Sequence, residues 1–371
     1  MKNFRFLQLA FLFTYLNSAC IKQVEVPIRN EKPQLVVQGL ITNDSLPYEV
    51  KVSFSGPFTS RSVAIDEHVV KNATVIIKDD LGNSTQLAYR DSGIYVTTDP
   101  NFVGKVGRSY HVEIGLADGS HFISTPETIR PPVPIDSISK VEYSLFFDKL
   151  DLSFGSNPYS DRLNAFIDFK DPPDQENYYR WSSYNYVLRK CSGLPCGFGC
   201  IMYDYCYQLH VVNDLQILSD ASVNGNLIHQ KQVEYSYIYW FGKQYIDIGQ
   251  LSISREAYQF WERYQEQLTR TGSILDPLPS PIKGNVHDAV DTTDIALGYF
   301  EASSITHKRV VLVPFGITQF LLDQRARQYI PSEPAICFEY FLNALPYPPP
   351  PAQQYPPPPG WENAQQLIVN W

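Results

Sequence analysis

The chain is 371 residues long and carries 30 Lys and Arg against 39 Asp and Glu, a formal net charge of −9 at neutral pH. That balance excludes a basic nucleic-acid binder, and 44% hydrophobic against 19% charged residues excludes a disordered chain. Tyr and Phe, 25 and 21 of them against 2 Met and 5 Trp, favour strands, so the composition points to a mainly β fold.

The N-terminus reads as an address. Lys2 and Arg5 precede the apolar run Phe6 to Leu16, and Asn17-Ser18-Ala19 leads to Cys20. A charged start, a short apolar stretch and small residues predict a signal peptide over residues 1–19. As a helix the apolar run spans only about 16 Å, against a ~30 Å hydrocarbon core, so it is too short to cross a bilayer. Ser18-Ala19-Cys20 resembles a bacterial lipobox, with Asn17 where leucine is usual. Read so, cleavage leaves Cys20 at the new N-terminus, its sulfur carrying a palmitate-bearing diacylglycerol anchor. Read otherwise, Cys20 is an incidental thiol. The expectation is a lipoprotein held in the bilayer through Cys20, with residues 20–33 as a polar tether.

From residue 34 to about 130 short alternating runs follow one another. Val50, Val52 and Phe54, then Ala73, Val75 and Ile77, then Tyr110, Val112 and Ile114 alternate with polar neighbours. Asp79-Asp80-Leu81-Gly82-Asn83 and Asp118-Gly119 supply turns between such runs, and the spacing predicts an immunoglobulin-like β-sandwich. Pro126 and Pro131-Pro132-Val133-Pro134 mark a stiff break, the expected domain boundary. Beyond it, residues 131–345 read as a larger β-rich domain. Its strand-like runs are Ser139 to Phe154, Leu163 to Phe169, Tyr178 to Arg189 and Val233 to Ile248. One helix is predicted near residues 254–271, with Ser254 as N-cap and Gly272 as stop. Its stripe of Ala257, Trp261, Tyr264 and Leu268 is expected to pack on a sheet. Residues 346–371 hold nine prolines between Pro346 and Pro359 and read as an extended surface arm or a recognition segment.

Motifs that would carry chemistry are few. Cys191, Cys196, Cys200 and Cys206 fall within sixteen residues, and Cys337 lies far away. The gaps lack the Cys-x2-Cys knuckles of structural zinc sites, so in an exported chain these five are disulfide candidates, bracing the Gly-rich loop 191–206. The pairing stays open, and the odd count leaves one thiol over. The seven histidines form no close pair, and His111 with His121 across the Asp118-Gly119 turn is too little for a metal. Asp168, Asp171, Asp174 and Glu176 crowd around Pro172-Pro173 but miss the calcium-loop spacing, and a solvated acidic turn is expected. Nucleophile elbows, zinc-protease helices and phosphate-binding glycine loops are all absent from the sequence. No catalytic, cofactor-binding or metal-binding residue is assigned, and no enzymatic activity is expected.

Several stretches together resemble one family in order and spacing. They are Leu35-Val36-Val37-Gln38-Gly39-Leu40-Ile41-Thr42, Asn177-Tyr178-Tyr179-Arg180-Trp181, Asp276-Pro277-Leu278-Pro279, Ile282-Lys283-Gly284-Asn285-Val286 and Leu297-Gly298-Tyr299-Phe300. With Cys20 ahead of them, they resemble a domain-of-unknown-function outer-membrane lipoprotein family of the Bacteroidota, encoded beside TonB-dependent receptors. The resemblance runs from about residue 20 to residue 315. It departs at the end, where Cys337 stands single and a Pro-rich insert precedes Trp361. The family supplies no catalytic residues. It implies a location, the outer membrane and its outer surface, and a partner, a TonB-dependent β-barrel receptor served in nutrient uptake, with the ligand unspecified. An adhesion or scaffolding protein that uses the Pro/Tyr tail as its contact is the alternative.

Overall fold

The computed structural model describes residues 33–56, 68–147, 159–173, 175–190, 205–237, 244–269, 281–315, 361 and 364–370. The first strands follow from alternation. They are β1 (Leu35–Ile41), β2 (Glu49–Phe54), β3 (Thr74–Asp79), β4 (Ser84–Asp91), β5 (Ile94–Thr97), β6 (Ser109–Gly115), β7 (His121–Ser124) and the short β8 (Glu127–Thr128). Val50, Val52, Val75, Ile77, Val112 and Ile114 are fully buried, each contributing roughly 1.5–3 kcal/mol of apolar burial. Both expected turns form. The Asp79 carboxylate accepts the Leu81 and Asn83 N–H groups at 2.9 and 2.8 Å and Gly82 takes φ +84°, while Gly119 (φ +91°) turns the chain between β6 and β7.

The chain then forms β9 (Ser137–Phe147), β10 (Tyr159–Lys170), β11 (Tyr178–Lys190), β12 (Tyr205–Ser219), β13 (Leu227–Tyr237) and β14 (Gln244–Ile253). The single apolar run read from Val233 to Ile248 is thus two strands, and β12 is an addition to the sequence reading. Helix α1 (Arg255–Thr269) starts as expected, because the Ser254 hydroxyl accepts the Ala257 N–H at 3.0 Å. Its buried side chains are Ala257 and Phe260, whereas Tyr264 and Leu268 are 38% and 59% exposed. The expected stripe is corrected accordingly: only the first two turns of α1 are clamped against the sheets, so the apolar positions beyond Trp261 run out over solvent.

Three strands follow, β15 (Lys283–Asp288), β16 (Ile295–Ala302) and β17 (Ser304–Phe315), and near the end of the chain β18 (Gln365–Asn370). The largest sheet has the order β3-β4-β5-β2-β1-β16-β15-β7-β6-β8, and β3 also pairs with β6, so it closes on itself. β15 and β16, from beyond the Pro-rich break, are built into this first sheet, with β16 parallel to β1. A three-stranded sheet β13-β10-β9 and a five-stranded sheet β12-β11-β14-β17-β18 make up the rest. Between them lies a second core with Phe169, Tyr179, Trp181, Ile246, Ile248 and Val310. The Pro-rich break is docked rather than free, since Val133 and Ile135 are buried in that core. The Val133 carbonyl also accepts from Gln250 Nε2 at 3.0 Å and Thr306 Oγ1 at 2.9 Å.

β16 and β17 are separated by Ser303 alone, so one length of chain serves both the closed sheet and the five-stranded one. Glu301 to Ser304 are all buried at this crossing. The described structure is mainly β with one α-helix, and no helix among the described residues is long and apolar enough to cross a membrane.

Candidate functional site

At the approach to the crossing from β16 to β17, Leu35–Thr42, Ile282–Val286 and Leu297–Phe300 lie side by side and Arg180 of the Asn177–Trp181 stretch reaches them, while Asp276–Pro279 lie outside the described residues. Gly298, at φ +82°, and Gly284 face each other across β15 and β16, where the ladder is interrupted between Lys283 and His287. A Cβ added to Gly284 would lie 1.5 Å from the Gly298 carbonyl oxygen, and one added to Gly298 would lie 2.1 Å from the Val37 carbonyl oxygen. Both glycines are therefore required for backbone approach, not for flexibility. Asn285 repairs the interrupted ladder, its amide accepting the Phe300 N–H and donating to the Phe300 carbonyl, each at 2.9 Å. Gly298→Ala is expected to destabilise the protein by about 2–4 kcal/mol, through the left-handed φ and the clash with β1, read as a lowered midpoint of thermal unfolding.

Beside these glycines sits a buried polar cluster. Glu301 of β16 is 1% exposed and fully engaged. Its Oε1 accepts from Arg180 of β11 at 3.0 Å and from the Ser303 hydroxyl at 2.5 Å, and its Oε2 accepts from the Trp261 indole N–H of α1 at 2.7 Å. The Arg180 guanidinium also lies over the Trp261 ring, 4.9 Å from its centroid. One carboxylate thus ties the closed sheet, the five-stranded sheet and the helix. A charge placed in a strand this deeply buried is tolerated only with such partners.

Two positions back along β16, the Tyr299 hydroxyl donates to Glu127 Oε1 of β8. Glu127 is 4% exposed, and its other oxygen finds no hydrogen-bond partner among the described residues. Burial pushes this carboxyl up to about 7, against the opposing effect of the Tyr299 and Ser254 hydroxyls, and the neighbouring Glu301 charge adds to the rise. Burial and the Glu127 charge likewise push the Tyr299 hydroxyl up, so it remains a donor.

On the β17 side of the crossing His307 is clasped by two carboxylates. Its Nδ1 lies 2.9 Å from Asp247 Oδ1 of β14, and its Nε2 lies 3.1 Å from Asp44 Oδ2 in the turn after β1. Arg309 reaches the second Asp247 oxygen at 3.0 Å. Burial opposes the charged imidazole, but hydrogen bonds and charge from Asp247 and Asp44 outweigh it and hold His307 up to about 9. Asn43, next to Asp44, accepts the Ile305 N–H at 2.6 Å. The turn after β1 is thus fastened to β17 by an amide and an ion pair together.

The other stretches also find partners. Asn177 donates its backbone N–H to Asp220 at 2.8 Å, Tyr178 bonds Glu176, Tyr179 donates to Asp171, and the Trp181 N–H donates to Gln250 at 2.9 Å. The acidic turn is split up by these contacts. Asp171 is fully buried and also accepts the Gly225 N–H at 2.9 Å, Asp168 accepts the Gln230 N–H at 2.8 Å, and Glu176 pairs with Arg255. Asp171 departs from the solvated reading because the Tyr179 hydroxyl and Gly225 N–H replace its water. His111 and His121 both approach Glu113, at 3.5 and 4.0 Å, and Lys78 reaches the same carboxylate at 2.8 Å. Among the described residues no group of three His, Cys, Asp or Glu side chains is placed to hold a metal ion.

Cys20, Cys191, Cys196, Cys200 and Cys337 lie outside the described residues. Cys206 falls in β12 opposite Arg189. The cluster around Glu301 was missed by motif reasoning aimed at catalysis, although the sequence carried a signal: Glu301 follows directly on the Leu297-Gly298-Tyr299-Phe300 stretch, a charge in an otherwise apolar strand.

No curated protein matches the chain. A family model, described as a domain of unknown function, DUF4249, matches residues 21–309, which takes in every element of the crossing from β1 to His307 and Arg309. The chain belongs to the DUF4249 family.

Proposed function

We propose that the chain is a non-enzymatic, lipid-anchored outer-membrane protein that serves a TonB-dependent β-barrel receptor as an accessory or substrate-binding partner in nutrient uptake. The observation that carries this reading is the N-terminal sequence, in which Lys2 and Arg5, the apolar run Phe6 to Leu16 and Ser18-Ala19-Cys20 precede a β-rich body. The polar cluster supports it, because Glu301 binds both Arg180 and the Trp261 indole and so holds two sheets and a helix in fixed relation, with Tyr299 and Glu127 paired beside it. Rigid relation of that kind suits a body that docks on a partner. In this reading residues 34–130 form an immunoglobulin-like sandwich standing on the tether, completed by β15 and β16.

The test is a mild-detergent purification of the tagged protein from its own outer membrane after crosslinking, with mass spectrometry of what accompanies it. A TonB-dependent barrel recovered in stoichiometric amount is the expected result. Recovery of the protein alone would overturn the receptor partnership and bring the adhesion reading forward. Mass spectrometry of the same preparation also reads the acyl anchor on Cys20.

A further inference from the structure

Glu127 has too few partners for its burial. It is 4% exposed, its Oε1 accepts from the Tyr299 hydroxyl, and its Oε2 finds no hydrogen-bond partner among the described residues. The side chain lies at the head of α1. The Ser254 hydroxyl, which caps that helix by accepting the Ala257 N–H at 3.0 Å, also interacts with both Glu127 and Tyr299. The Tyr299 ring in turn packs on Phe260 of α1, with centroids 5.1 Å apart. The groups that face the carboxyl are Tyr299 and Glu301 of β16, Ser254 and Glu256 at the start of α1, and Tyr110 of β6, its ladder partner. The Tyr110 hydroxyl is engaged with the Lys105 N–H and the Arg180 guanidinium with Glu301, while Glu301 and Glu256 both repel a charge on Glu127.

We infer that Glu127 is a proton-operated latch on α1: protonated, it holds the first turn of the helix on the crossing, and ionised, it lets that turn lift so that water reaches the carboxylate. The proton adds to Oε2, which becomes a donor, and Ser254 Oγ has a lone pair to receive it beside the Ala257 N–H. The neutral pair fastens β8 to the helix cap. Loss of the proton to solvent leaves a buried charge with the Tyr299 and Ser254 hydroxyls as donors and two carboxylates against it. The helix dipole and those hydroxyls favour the charge, but burial and the carboxylates outweigh them and hold the carboxyl up to about 7. Of the elements over Glu127, α1 has the least to lose by moving. β8 leads into the fully buried Ile129 and β16 is paired on both edges, with β1 and β15, whereas beyond its first two turns α1 runs out over solvent. Lifting bares Ala257 and Phe260 one turn from the exposed Tyr264 and Leu268, which enlarges the apolar surface the helix offers.

The experiment is amide hydrogen exchange of the full chain from pH 4.5 to 8, each rate divided by the intrinsic peptide rate at the same pH. Seated, the carboxyl is held at about 7, and solvated it returns to 4.5, so the latch is tight below 4.5, weakens as pH rises to 7 and is constant above. The amides of Ala257 and Tyr258 are expected to be protected at least about tenfold less than those of Val75 and Ile77 in β3, which report global unfolding. Their protection should fall at least about tenfold between pH 5 and 7 and then level off. Glu127→Gln should abolish that fall. Tyr299→Phe keeps the ring on Phe260 but removes a donor to the charged form, so the point of levelling should move up by about one pH unit. Equal protection of α1 and β3 would overturn the latch, since the helix would then move only with the whole chain. A pH-independent α1, or a fall that survives in Glu127→Gln or levels at the same pH in Tyr299→Phe, would overturn it as well.

Discussion

Arg180→Ala is expected to cost about 3–5 kcal/mol of folding stability, read from the shift of a urea unfolding midpoint. The loss comes less from the attraction removed than from what is left behind. Glu301 would remain at 1% exposure with only the Ser303 hydroxyl and the Trp261 N–H as donors, and Trp261 would lose the guanidinium over its ring. A buried carboxylate in that position either stays charged at a desolvation cost or takes up a proton. Against a total stability of roughly 5–15 kcal/mol, such a loss is a large fraction. Because Arg180, Glu301 and Trp261 belong to three elements, the double variant Arg180→Met with Glu301→Leu is expected to lose less than the sum of the two single changes. A cost below about 1 kcal/mol for Arg180→Ala would show that the pair contributes no more than a surface salt bridge.

The second large effect is in the pH dependence of stability. Glu127 is held up to about 7 in the folded chain, against 4.5 unfolded. Its contribution is complete below the unfolded value and is lost as pH rises through 7. His307 is held up to about 9 against 6.5, so its contribution is complete below 6.5 and is lost as pH rises through 9. Both groups act in the same sense, each by about 3 kcal/mol at most, and in successive windows. On the acid side the order reverses. Glu113 is held low by Lys78 and Asp168 by the Gln230 N–H, so their contributions are present above the ordinary carboxylate range and lost as pH falls. The melting temperature is therefore expected to peak near pH 4.5 and to decline steadily towards pH 9. Glu127→Gln keeps an acceptor for the Tyr299 hydroxyl and should flatten the decline between pH 4.5 and 7 while leaving the limb up to pH 9. A melting temperature that holds level or rises from pH 5 to 9 would contradict both assignments.

The local elements of the first sheet were legible because their causes are local. Period-two alternation in Val50 to Phe54 and Tyr110 to Ile114 buries one face, and Asp79, Gly82 and Gly119 satisfy turn geometry within a few residues of themselves. The same holds for the start of α1, where the Ser254 hydroxyl caps its own helix. The stripe of α1 was only half legible. Its spacing identified a helix, but which turns are covered depends on how far β11, β12 and β16 extend beneath it. Those strands cover Ala257 and Phe260 and leave Leu268 outside.

The polar cluster was legible only as stretches that carry a family resemblance without a visible reason. Gly284 and Gly298 had no visible purpose until each was seen against backbone contributed by another strand, and Arg180 and Glu301 stood apart until β11 and β16 were brought together.

By itself the sequence determined the β character, the turns, the capped helix, the acidic charge and the candidate anchor at Cys20, all properties of composition or of neighbours a few positions apart. Only the tertiary structure decided that β16 runs parallel to β1 and continues into β17, so that a single crossing joins the sheets. It also decided that Trp361 and β18 return to an edge laid down before the Pro-rich stretch. The pairing of residue 36 with 297, or 310 with 365, is a contest among long-range alternatives. It is settled by burial and hydrogen-bond satisfaction over the whole chain, and no short window of sequence records its outcome.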